Sequence, residues 1–343
     1  MMTMTTIHDV AKKAGVSIAA VSYALNNKKS IGKEKKELIL QIAEEMGYVP
    51  NSLAKGLLKG KTNIIGLIGT DIKDPYLATL TFQLEKYARA SGLFLLLGNT
   101  GSDREHEQEI IKQFVSKNVD AILLFPGMYE QGSYQQIVNY LRKVKTPLIC
   151  LDRDLPGVKT NYVIPDLEEG EYAAARYLIE NGHKRLLYLG GDTLHITTQQ
   201  RHQGFKRAMD EFGLSLSDSN FVNCGYSFEE GYEAVSALIR SGASLPTALL
   251  TTNDSVALGA YKALRQNSIR VPEDVSLIGY DDIALPTIDA LPLTTVKIPL
   301  EEMARLAIDA TNQLLSGGNM TLQYIVKPEL IVRESVKAIE LKL

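Results

Sequence analysis

Eight short apolar runs punctuate the chain. They lie at residues 64–69, 94–99, 121–126 and 148–152, and again at 186–191, 221–226, 248–253 and 276–281. Amphipathic stretches of helical period separate them. This alternation constrains the fold more than any other feature. Strands that are apolar throughout are covered on both faces, and parallel neighbours need a crossover of about a dozen residues or more, which here is helical. The two sets of four therefore read as two doubly wound α/β lobes. In such lobes ligands bind outside the carboxyl ends of the strands. Those ends are polar: Asp71, Asn99, Asp152, Asn253 and Asp281 follow strand runs, and Arg201 opens a helix after Gly191.

The residues before Ile64 obey another rule. Thr6 and Asp9 have the spacing of a capping box, and Ile7, Val10, Ala11 and Ala14 follow with helical period. Gly15 stops this helix and Ser17 caps the next, whose buried stripe is Val21, Ala24 and Leu25. A third helix spans 32–46, with Ile39, Ile42, Ala43 and Met46 inward and Gly47 as its stop. Two short helices joined by a turn read as a helix-turn-helix, whose second helix enters the DNA major groove. The chain of 343 residues carries a formal net charge of -3, but residues 1–60 hold nine lysines and five acids, leaving the acidic surplus on the rest. A small basic head on an acidic body fits that reading.

Several classes are excluded by composition and spacing. No apolar run approaches the ~18 residues needed to span a bilayer. Residues 1–13 have no apolar signal segment, so the expected compartment is the cytoplasm. Cys150 and Cys224 stand far apart without a CxxC and read as apolar thiols in strands. No metal or cofactor set is expected. The glycines at 56 and 60 before Lys61 and Thr62 have three residues between them where a phosphate-binding loop needs four, and they precede a strand where such a loop follows one.

The run Ile7-His8-Asp9-Val10-Ala11-Lys12-Lys13-Ala14-Gly15-Val16-Ser17, then Val21-Ser22 and Asn26, closely resembles the DNA-binding head of the lactose/galactose repressor family. So does Gly47-Tyr48-Val49-Pro50-Asn51 followed by Ala54-Lys55-Gly56-Leu57, and the similarity continues to Val332-Arg333-Glu334-Ser335. The resemblance implies DNA contacts at Thr6, Ser17, Ile18, Ala19 and Ser22, and at Tyr23, Asn26 and Tyr48. Tyr23 is the best remaining base reader, because Ile18, Ala19 and Ala20 stand where relatives often carry polar groups. Residues 51–58 are too few to hold a helix alone in water. The resemblance makes them a hinge helix, with Asn51, Ala54 and Lys55 at DNA and Leu57 as a minor-groove wedge. It makes the body a periplasmic-binding-protein-like pair of lobes. Arg201, Asn253, Asp281 and Asp152 would then line an effector cleft, covered by Tyr76 and Tyr226, with Asn99, His195 and Thr197 beside them. His195 replaces an arginine common in relatives and weakens the case for a strongly anionic effector.

The expected architecture is an all-α helix-turn-helix head (1–49), a hinge and linker (50–61), and an effector-binding and dimerisation body (62–343). One lobe would take about 62–163 with 292–323, the other about 164–291 with 324–343. The expected function is a ligand-responsive transcriptional repressor. It would act as a homodimer on a pseudo-palindromic duplex operator, with a sugar as effector, no cofactor and no catalysis. The same regulator answering to a phosphoprotein or a sugar phosphate is the alternative, with a purine third. An α/β enzyme or a transport binding protein is more remote: no HExxH, GxSxG or ordered Ser-His-Asp set appears, and a basic head suits neither.

Overall fold

The computed structural model describes residues 5–26, 31–49, 61–127, 134–283, 291–318 and 320–339. It divides into two compact units, Met1–Thr62 and Asn63–Leu343. In the first unit three helices, α1 (Ile7–Ala14), α2 (Ile18–Leu25) and α3 (Lys33–Glu45), enclose a small core of Val10, Ala11, Val21, Ala24, Ile39 and Ala43. Local chemistry sets their ends. Thr6 and Asp9 form a reciprocal capping box on α1. Gly15 closes α1 at φ 63°, a left-handed turn that glycine takes without steric cost. Ser17 accepts a hydrogen bond from Ala20 N at 3.2 Å and so starts α2. Gly32 leaves α3 without a side-chain cap.

The second unit holds two six-stranded sheets. The first contains β1 (Ile64–Gly69), β2 (Phe94–Asn99), β3 (Ala121–Leu124), β4 (Leu148–Leu151) and β5 (Asn161–Pro165), joined by β11 (Gln323–Val326) in the order β11-β5-β4-β3-β1-β2. All its pairings are parallel. The second contains β6 (Leu186–Gly190), β7 (Phe221–Asn223), β8 (Ala248–Thr251), β9 (Ser276–Asp281), β10 (Thr294–Lys297) and β12 (Glu329–Ile331), in the order β12-β10-β9-β8-β6-β7, with only the β10–β12 pair antiparallel. The connecting helices are α4 (Pro75–Ala90), α5 (Arg104–Ser116) and α6 (Gln135–Val144) in the first lobe. In the second they are α7 (Leu167–Glu180), α8 (Ile196–Glu211), α9 (Phe228–Arg240) and α10 (Asp254–Gln266); α11 (Leu300–Leu315) returns to the first. No described helix is long and apolar enough to cross a membrane.

The lobe boundaries differ from the sequence expectation at both later crossings. Residues 294–297 were expected in the first lobe, but β10 pairs with β9 in the second, Thr294 opposite Ile278. Residues 324–326 were expected in the second, but β11 pairs with β5, Val326 opposite Pro165. The chain changes lobe after completing a strand, at residues 165–167, 297–300 and 326–329. β5, β10, β11 and β12 lie outside the eight apolar runs, and pairing alone assigns them to a lobe.

Small residues set how closely the second lobe packs. A Cβ on Gly204 of α8 would lie 2.1 Å from Glu168 O and 2.9 Å from Tyr172 N of α7. Backbone cannot yield as a flexible side-chain tip can, so Gly204→Ala must push the two helices apart. We expect a loss of about 1–3 kcal/mol, read as a lower urea midpoint for the full chain; an unchanged midpoint would show that the helix pair tolerates separation.

Candidate functional site

Two surfaces carry the residues singled out by sequence, and they lie in separate units. In the head, α2 turns Val21 and Ala24 into the core and leaves Ile18 and Tyr23 outward, 41% and 39% exposed, with Ala19 exposed beside them. Thr6 and Ser17 spend their hydroxyls on the caps of α1 and α2. The Asn26 amide donates to Ser22 O at 2.7 Å and Ser22 Oγ at 3.3 Å, so these two polar candidates hold each other at the end of α2. Tyr48 is half-buried against the head core. The outward face of α2 is thus largely apolar, with one phenol. Asn51, Ala54, Lys55 and Leu57 lie outside the described residues.

In the body, a cavity of about 740 Å³ opens at the carboxyl ends of both sheets. Tyr76, Asp152, His195, Thr197, Arg201, Tyr226, Asn253 and Asp281 all line it. Asn99 does not: it ends the edge strand β2 and its Oδ1 accepts from Ile72 N at 2.8 Å, bracing the loop after β1. Asp71 does line the cavity. Arg201 stands at the sixth position of α8 rather than at its opening. There it falls in the helix's buried stripe with Thr197, Gly204, Phe205 and Ala208.

The polar wall has two halves. On the first lobe Asp152 is engaged internally: Tyr76 Oη donates to Oδ1 at 2.9 Å, and Arg153 donates to Oδ2 from Nε at 3.2 Å and Nη2 at 2.9 Å. Burial pushes the Tyr76 phenol well above its ordinary range. Arg153 packs over the Phe125 ring at 4.8 Å, and its Nη1 is buried without a hydrogen-bond partner. On the second lobe Asn253 caps α10, accepting from Val256 N at 2.8 Å and donating to Tyr226 O at 2.8 Å. Tyr226 Oη lies 3.2 Å from Thr198 Oγ1. Asp152 and Asn253, expected as open ligand groups, therefore already have protein partners.

Arg201 and Asp281 make no side-chain hydrogen bond to a described residue. Arg201 is 8% exposed and its guanidinium lies 3.5 Å over the Tyr280 ring. Its nearest ion pair is Glu171 Oε2 at 4.0 Å, and Nη1 has no hydrogen-bond partner. Asp281 is equally buried, and no described residue hydrogen-bonds its carboxylate. Burial drives that carboxyl well above the usual carboxylate range, with Arg201 pulling the other way. Asp152 and Asp281 sit at φ 69° and 104°, a backbone region L-residues rarely occupy and one that marks functional sites. His195 Nδ1 is buried without a partner, and burial lowers the imidazole pKa, so it contributes no fixed charge near neutrality.

Sequence reasoning missed two groups. Arg153, like Lys73, adds a cation to the cavity beside Arg201, which offsets the cation that His195 does not supply; the run Asp152-Arg153-Asp154 after an apolar strand was the available signal. Glu171 lies behind Arg201 on α7, 1% exposed, within a buried stripe of Leu167, Gly170, Ala174, Ala175 and Leu178. An acid at a core position of that stripe was legible but passed over.

Residues 6–51 match the family model for bacterial regulatory proteins, lacI family, and residues 175–336 match that for a periplasmic binding protein-like domain. The HTH-type transcriptional repressor PurR of Haemophilus influenzae strain PittEE is 34% identical over 343 residues, covering 98% of this chain and 100% of the relative. The ribose operon repressor of Haemophilus influenzae is 29% identical over 338 residues, with 98% and 100% covered. The crystal structure of the lac repressor dimer bound to operator and the anti-inducer ONPF aligns with a TM-score of 0.87 at 22% identity, over 98% of this chain and 100% of that one, and speaks for the fold.

Burial raises the Glu171 carboxyl from 4.5 to about 8, Arg201 only partly offsetting it. Such a group binds more protons folded than unfolded, so its contribution to stability is full below the unfolded pKa and is lost as pH rises toward the folded one. Between those limits the parent should lose stability with rising pH, and Glu171→Gln should lose less. Urea denaturation across this range checks it; parallel profiles for parent and variant would show that Glu171 does not hold a proton in the folded state.

Proposed function

This chain belongs to the lacI family of bacterial regulatory proteins and is a ligand-responsive, DNA-binding transcriptional repressor, and we propose that it answers to a small, largely uncharged polyhydroxy ligand, a sugar, bound between the two lobes of its body. One observation carries this reading: Arg201 and Asp281 are each 8% exposed in the cavity wall, and Arg201 Nη1 is buried there without a hydrogen-bond partner. A buried polar group left unpaired costs roughly 1–3 kcal/mol, more for a charge. A guanidinium offers only donors and a carboxylate only acceptors, and hydroxyls serve both. The wall carries six carboxylates, Asp71, Asp74, Asp152, Glu229, Glu230 and Asp281, against Lys73, Arg153 and Arg201. That balance disfavours a sugar phosphate, although the Arg153 Nη1 makes phosphate the reading to test beside it. The similarity to a ribose operon repressor points the same way.

On this reading no catalytic step is needed, and the effector acts by favouring one separation of the lobes. The DNA-contacting set is Thr6, Ser17, Ile18, Ala19, Ser22, Tyr23, Asn26 and Tyr48 in the head, with Asn51, Ala54, Lys55 and the wedge Leu57 in the hinge. The protein acts as a homodimer, as the matched lac repressor does on its operator, and works in the cytoplasm on a pseudo-palindromic site.

A thermal-shift panel of sugars, sugar phosphates and purines tests the effector. Arg201→Ala and Asp281→Ala should each weaken the binding sugar by about tenfold or more, equivalent to ~1.4 kcal/mol, while operator binding persists without response to it. If both variants respond like the parent, the cleft assignment is wrong.

On DNA, affinity should fall steeply with salt, because an apolar α2 face leaves phosphate contacts dominant. Tyr23→Ala should relax sequence preference at one or two operator positions, read by selection from random duplexes. Equal weakening on every sequence would make Tyr23 a positioning residue and not a base reader.

A further inference from the structure

Behind the cavity wall lies a buried polar cluster that the ligand itself does not reach. Glu171 does not line the cavity. It faces Arg201 from α7, with Tyr188 of β6 and Tyr280 of β9 beside it and Asp281 and Asp166 farther around Arg201 and Tyr280. Both Glu171 carboxyl oxygens, Arg201 Nη1 and Tyr280 Oη are buried without a hydrogen-bond partner. The space between them is tight: a Cβ on Gly170 would lie 2.2 Å from Tyr280 Oη. The 4.0 Å separation of Glu171 Oε2 and Arg201 Nη1 is too long for the charge-assisted hydrogen bond that an ionised pair forms at about 2.7–2.9 Å.

We propose that Glu171 is a proton-controlled positioning residue for Arg201. With its proton on, it leaves the guanidinium to the cavity; with the proton released to solvent, it draws the guanidinium toward α7 and away from the ligand. The proposal rests on the reading of the cavity as an effector site.

Three features support it. An ionised Glu171 would attract the Arg201 guanidinium, whose Nη1 an approach of about one ångström would bring into bonding range, with the buried, unpaired Tyr188 and Tyr280 hydroxyls as the other donors beside it. Arg201 keeps its charge and its rigid fork of donors throughout, so drawing Nη1 toward Glu171 also moves the donors that face the cavity. Burial places the Glu171 carboxyl at about 8, so the exchange falls near neutrality, where no ordinary carboxyl titrates. Burial raises the Asp281 carboxyl as well, and Asp281 lines the cavity, so it would contribute its own pH dependence; substitution at Glu171 separates the two.

The test uses the full chain and D-ribose as probe. The Arg201 guanidinium nitrogen signals, assigned by their loss in Arg201→Lys, should shift between about pH 6 and pH 9 with a midpoint near 8 in the parent and stay flat in Glu171→Gln. Calorimetric affinity for D-ribose should weaken by about tenfold from pH 7 to pH 9 in the parent, one proton being linked, and should lose this dependence in Glu171→Gln. An Arg201 signal that is flat in the parent overturns the proposal even if the variant fails to fold. So does ribose affinity that changes with pH equally in both proteins. If no member of the sugar panel binds while the Arg201 signal titrates as described, the effector reading fails and the Glu171–Arg201 coupling stands.

Discussion

A guanidinium buried among groups that cannot fully satisfy it is the constraint around which the body of this protein is arranged. Arg201 keeps its charge at any ordinary pH, so the fold must accommodate a cation that is 8% exposed. It does so with the Tyr280 ring face at 3.5 Å and with Glu171 and Asp281 nearby. These contacts reduce the charge's cost but leave its hydrogen bonds unmade. The absence of side chains on Gly170 and Gly204 permits the close approach of α7, α8 and β9 that brings these groups together.

The two halves of the cavity wall are built differently. On the first lobe Tyr76, Asp152 and Arg153 form a bonded set that is rigid before any ligand arrives. On the second, Asn253 and Tyr226 are bonded too, but Arg201 Nη1 is buried without a hydrogen-bond partner. The halves belong to different sheets, joined by three crossings of the chain. A ligand that touches both favours whichever lobe separation lets both touch, and its differential contacts set how far the equilibrium moves. The positive φ values of Asp152 and Asp281 hold these acids at the strand ends in conformations that the paired sheets impose.

The head follows a separate economy. Its core is six small or branched apolar side chains, too small to define much beyond the mutual packing of three helices. Caps therefore matter: Thr6 with Asp9, Gly15, and Ser17 each fix a helix end by a local interaction. Because those hydroxyls are occupied and Ser22 is tied to Asn26, the outward face of α2 presents Ile18, Ala19 and Tyr23.

Sequence by itself determined the features that repeat or that act locally. The alternation of apolar runs and amphipathic stretches specified two α/β lobes, because a parallel strand pair needs a helical crossover. Cap residues marked the head helices, because a cap bonds within three residues of itself. The rule that ligands gather at strand ends brought Asp152, Arg201 and Asp281 into view. Tertiary structure alone decided what depends on distant partners. The short strands β5, β10, β11 and β12 exist through pairing across the sheets, so the lobe boundaries followed from hydrogen bonding and not from pattern. Asn99 and Asn253 are the same residue type at the same kind of position, yet one braces a loop at a sheet edge and the other caps a helix in the cavity wall. The roles of Arg153 and Glu171 depend on neighbours about 30 residues away, Phe125 under one and Arg201 beside the other. A one-dimensional pattern shows that a charged residue is unusual at a buried position; only the folded chain shows which opposite charge it faces.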